Sequence, residues 1–158
     1  MAARIAALAG EYEAFCDEIA SEEAMERMLR RHRLDWQSYH FREATFAREP
    51  AAREAALCVR QDGMSLEEAA GLAGVGVSEQ TKRLDEVEKE MNGVLLATSP
   101  GELAGPYAVH ESFVLVEVLE RSQPDPGDPQ VLELARTELV ADALERHLVG
   151  KVRWHVDV

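Results

Sequence analysis

The chain has 158 residues, an ordinary apolar content of 46% and a formal net charge of −13. That length predicts one domain, or one compact core with an appended helical part. So acidic a chain repels phosphates, which argues against nucleic acid or an anionic membrane surface as its main partner.

The opening "MAARIAALAGEYEAF" has one early Arg and a short apolar run broken by Glu11, and reads as an amphipathic helix rather than an export signal. Ile5, Leu8, Tyr12, Phe15 and Ile19 recur three or four apart and define its apolar face. Ser21, followed by Glu22 and Glu23, starts a second helix, with Met25, Met28 and Leu29 facing inward. It closes on "RMLRRHR", whose cations complement the negative end of the helix dipole. Asp35 is placed to cap a helix from Trp36, while "FREATF" fits either a helix or a short strand. Pro50 suits the first turn of "PAAREAALCVRQDG", which Gly63 ends. Ser65 and Glu68 have the spacing of a capping box for "SLEEAAGLAG", and Ser78 is placed to cap a further helix.

Strand patterns come later. In "FVLVEVL", Val114, Val116 and Val118 line one face, and Phe113, Leu115 and Leu119 line the other with Glu117. Two apolar faces predict an interior strand. "SQPDPGDP" is a loop; Asp128 then caps a helix with Pro129 in its first turn. Val131, Ala135, Leu139 and Ala143, widened by Leu132, Val140, Leu144 and Leu148, form a stripe too broad to leave in water. That helix is expected to pack on the N-terminal helices and to stop at Gly150. The final "KVRWHVDV" alternates like a strand with one dry face. Trp36 and Trp154 are expected as core anchors.

The expected fold class is α+β, predominantly helical: a small sheet-and-helix core with the N- and C-terminal helices packed together. No glycine-rich phosphate loop and no Gly-x-Ser-x-Gly elbow is present. The five histidines, at 32, 40, 110, 147 and 155, lack metal-ligand spacing. Cys16 and Cys58 sit among apolar residues and suit small core side chains. No catalytic residue, metal or cofactor is therefore expected. No apolar run approaches the ~20 residues of a membrane span, so the cytoplasm is the expected location.

"GMSLEEAA" after a helix, then "GELAGP" ahead of "FVLVEVLER", resembles the parvulin-type peptidyl-prolyl isomerases, especially their chaperone-like members. The resemblance covers about residues 41 to 122, and so implies an N-terminal helical arm (1–40), a degenerate parvulin-like core (41–122) and a C-terminal helix with a terminal strand (123–158), forming a single compact unit. It implies a small sheet-and-helix core that binds peptide. The family's two strand histidines fall at Glu43 and Val114, and the apolar residue ahead of its Gly-Pro turn falls at Met91. The resemblance therefore implies a degenerate site. Met91, Leu95, Tyr107 and Phe113 are its expected peptide contacts, and Gly105 and Pro106 form its structural turn. Gly105 is expected in a conformation that other residues avoid, with Pro106 fixing the start of the strand. The expected partner is a client polypeptide holding an extended or proline-containing segment, such as a precursor peptide for a modifying enzyme. A homodimer through an exposed helix face is compatible with this. Two alternatives stand beside it. One is a divergent, active isomerase. The other is a DNA-binding regulator, because Ala70, Gly74 and Val75 fit the first helix and turn of a helix-turn-helix, with "SEQTKRLDEVEKE" as its second helix.

Overall fold

The computed structural model describes residues 2–148, with side chains from 10 to 146. The strand expected at "KVRWHVDV", Trp154 within it, and the helix stop at Gly150 lie outside the described residues. The fold is α+β and mostly helical. The chain divides into two compact units, one of residues 34–123 and one made of 1–33 together with 124–158.

The second of these is helical: α1 (Ala2–Ile19), α2 (Glu22–Arg31) and, from the other end of the chain, the last helix, Pro129–Leu148. The caps are those the sequence signals. The Ser21 hydroxyl accepts from the Ala24 N–H at 3.3 Å, and the Asp128 carboxylate accepts from the Gln130 N–H at 2.8 Å. The C-terminal helix packs on both α1 and α2, as its stripe predicts. Ala135, Leu139 and Val140 are buried, as are Cys16, Ala24 and Met28. The ion pairs Arg31–Asp142 (3.1 Å) and Arg136–Asp17 (2.7 Å) flank the contact. The seam is narrower than the expected stripes. Tyr12, Phe15, Leu132 and Leu144 are exposed, because the small side chains Cys16, Ala24 and Ala135 are among those that form the contact.

The other unit begins earlier than position 41. No helix starts at Trp36. Instead the 35–37 segment bonds to residues 84–85, with the Leu84 N–H donating to the Gln37 carbonyl and the Asp85 N–H to the Asp35 carbonyl, both at 2.9 Å. Strand β1 (Ser38–Phe46) follows, settling "FREATF" as strand. Helices α3 (Glu49–Asp62) and α4 (Leu66–Leu72) come next. Gly63 ends α3 in the left-handed region at φ 70°, and Ser65 and Glu68 cap α4 reciprocally. Ser78 caps nothing, because Val77–Arg83 is strand β2, antiparallel to β1 from Ser38↔Arg83 to Ala44↔Val77. A polar segment becomes a strand here because the outer backbone groups of β1 need partners. The helix-turn-helix reading thereby loses its second helix.

After a single 3-10 turn (Leu84–Glu86) come α5 (Lys89–Ala97), β3 (Leu103–Val109) and β4 (Ser112–Ser122). The C-terminal helix Pro129–Leu148 is thus α6. The sheet is antiparallel in the order β2-β1-β4-β3, so β4 is interior, as its two apolar faces predict. Gly105 and Pro106 are not a turn before a strand. They form an irregularity within the edge strand β3, between Ala104 and Tyr107, where a proline costs no ladder hydrogen bond. Gly105 has φ 102°, as expected of a position that other residues avoid, and the Gly105–Pro106 peptide is cis.

The two sheet faces are covered unequally. On one, Ala44, Phe46 and Leu115 pack on the alanine-rich sides of α3 and α4. On the other, Tyr39, Phe41, Val114, Val116 and Val118 meet Met91, Val94 and Leu95 of α5. A helix of nine residues spans about 13 Å, whereas the eleven residues of β4 span about 36 Å. One short helix leaves part of that face open, and the largest cavity described for this unit lies there.

Candidate functional site

The alternation of β1 sends Phe41, Glu43 and Thr45 to the open face, where they form the floor of a cavity of about 410 Å3. Gln80 and Lys82 of β2 and Val114 of β4 extend the floor, and Val87 and Met91 form a wall. Glu86, Glu88, Val109, His110 and Ser112 complete the rim. The volume falls in the range of about 300–1,000 Å3 typical of ligand pockets. β1 and β4 are neighbours in the sheet, with Thr45 opposite Val114 and Glu43 opposite Val116, which makes Glu43 and Val114 diagonal neighbours. The two positions that the resemblance assigns to histidines thus border one cavity with Met91, although they are 71 residues apart in sequence.

Among the described residues no histidine reaches the floor. His40 pairs with Glu79 at 2.9 Å, and Arg42 contacts Glu79 at 2.6 Å, Glu67 of α4 at 3.1 Å and Glu117 at 3.6 Å. Arg42, Glu79 and Glu117 occupy one rung across three strands, on the face of Ala44 and Phe46. The Arg42 guanidinium, and after it the His40 ring, hold the Glu79 carboxyl below its ordinary range. His110 stands at the rim, in the two-residue turn between β3 and β4 with φ 53°, and its ring lies 3.9 Å from Glu88. Its side chain is exposed.

The four expected peptide contacts do not come together. Met91 lines the cavity, while Leu95 is fully buried in the core below the same face. Tyr107 lines a separate shallow groove along β3 with Arg60, Gly105 and Pro106. Phe113 packs against the opposite face, beside α3 and α4. Sequence reasoning missed Phe41, Val87 and Val109. The signal for Phe41 was available in the alternation of Tyr39, Phe41, Glu43 and Thr45, had "FREATF" been resolved as strand. Glu117 Oε2 is a buried side-chain oxygen without a hydrogen bond, although the Arg42 guanidinium is close by.

The groove along β3 is held by Arg60, which donates to the carbonyls of Leu103 at 3.1 Å and Gly105 at 2.9 Å. Those bonds occupy backbone acceptors of the edge strand that would otherwise be open to another chain. Among the described residues no cluster of His, Cys, Asp and Glu has the arrangement of a metal site, and no helix is long and apolar enough to cross a membrane. No family model, curated protein or solved structure matches the chain.

Proposed function

We propose that this chain is a parvulin-like peptide-holding protein without isomerase chemistry, and that the cavity on the open sheet face receives an extended or proline-containing segment of a client polypeptide. The observation that carries the reading is the meeting of Glu43, Val114 and Met91 at one cavity.

The chemistry of the lining favours holding over turnover. Prolyl isomerisation crosses a barrier of about 20 kcal/mol. Lowering it takes a site that binds the twisted amide better than either planar form. The floor offers a valine where one orienting imidazole would stand and a carboxylate where the other would. Phe41, Val87, Met91 and Val114 still provide apolar area and shape for a side chain. Met91 adds an adaptable thioether that tolerates varied sequences. Presentation of a precursor segment to a modifying enzyme fits a protein that binds without reacting.

The test is nuclear magnetic resonance mapping with a proline-containing octapeptide. Shifts concentrated at Phe41, Val87, Met91 and Val114 are expected. Shifts confined to α3 and α4, or none at all, would contradict the reading.

A further inference from the structure

The cavity carries a charge pattern as well as a shape. Three carboxylates, from Glu43, Glu86 and Glu88, line it against a single ammonium, from Lys82. Two of the three acids have neighbours: Glu86 pairs with Arg83 at 3.1 Å, and Glu88 stands 3.9 Å from the His110 ring. Glu43 differs from them. It is partly buried on the floor between Phe41 and Thr45, and among the described residues its carboxylate has no hydrogen bond or ion pair. Register keeps Lys82 away from it. Glu43 stands opposite Ser78, whereas Lys82 stands opposite Tyr39, four residues or about 13 Å further along β2.

A carboxylate without a partner beside apolar side chains gains from a cation that arrives with its own hydrogen-bond donors. We propose that the occupant of this cavity is an extended peptide segment bearing a lysine or arginine next to its apolar or proline residue, with the cationic head on Glu43 and the apolar residue against Phe41, Met91 and Val114. This rests on the peptide-holding reading and adds to it a preference for one side-chain class. The stem of a lysine or arginine packs along apolar surface while its head reaches a carboxylate, which matches a floor with an acid set among apolar groups. The net charge of −13 favours approach of such a segment over an acidic one.

The test uses three fluorescein-labelled hexapeptides that differ only at the residue before a single proline, which is lysine, norleucine or glutamate. Binding to the full chain and to Glu43→Gln is followed by anisotropy. The wild type is expected to bind the lysine peptide about tenfold more tightly than the norleucine peptide, and the glutamate peptide least. Glu43→Gln is expected to erase the lysine preference. Raising salt from about 0.05 to 0.5 M should weaken only the lysine peptide. This salt arm needs no variant and stands even if the substitution perturbs folding. Equal affinity for lysine and norleucine in the wild type, or a preference that survives in folded Glu43→Gln, overturns the charge assignment and leaves peptide holding intact. Failure of all three peptides to bind overturns both.

Discussion

The backbone of Gly105 passes so close to the carbonyl of Val114 that a Cβ on Gly105 would lie 2.6 Å from that oxygen. Gly105 also has φ 102°, a region that residues with a Cβ rarely adopt. Val114 lines the cavity, so the glycine lets the edge strand lie tight against the strand that carries part of the site. Gly105→Ala is therefore expected to lower stability by about 1–3 kcal/mol. Thermal unfolding by circular dichroism should register this as a lower Tm, and an unchanged Tm would refute the close approach.

Arg60 secures the same strand from α3 through the Leu103 and Gly105 carbonyls. Because the guanidinium is exposed, Arg60→Ala is expected to cost only about 0.5–1.5 kcal/mol overall. The local effect should be larger. Hydrogen exchange in β3 should speed up while β1 amides stay protected, and equal acceleration in both strands would contradict a local role.

Two carboxylates give the fold a defined acid response. Glu68 is held below its ordinary value of 4.5 by the Ser65 backbone N–H and then by the Ser65 hydroxyl. Glu79 is held below the same value by Arg42 and then by His40. Each has a folded pKa lower than its unfolded one. The stability each contributes is complete above the unfolded pKa and disappears as pH falls through the folded one. Tm should therefore decline as pH drops below about 4.5, and Glu79→Gln should flatten that decline while lowering Tm at neutral pH. A Glu79→Gln profile parallel to the wild type would show that the cross-strand cluster adds nothing.

Legibility in the sequence followed the range of the forces involved. Ser21, Pro50, Gly63, the Ser65–Glu68 pair and Asp128 act within one helical turn, and all five stand where local chemistry places them. β4 was legible because both of its faces are apolar. β2 was not: "VSEQTKR" has almost no apolar content, and its strand state comes from pairing with β1. Missing that pairing also suggested a recognition helix that does not exist. At the site, Met91 was reachable through resemblance, but Phe113 was assigned across the sheet from its true side. A pleat sends neighbours to opposite faces, so Phe113 and Val114 cannot share one.

Peptide holding without turnover is tested most directly by running two measurements on one preparation. A proline-containing peptide is titrated against the wild type, Met91→Asp and Leu72→Asp, and its cis–trans exchange is followed in the presence of each. Met91→Asp puts a charge into the wall of the cavity, whereas Leu72 is an exposed residue of α4 outside its lining. The wild type and Leu72→Asp should bind alike, Met91→Asp should bind at least about tenfold more weakly, and none should raise the exchange rate above background. Accelerated exchange by the wild type, or equal binding by all three folded proteins, would contradict this.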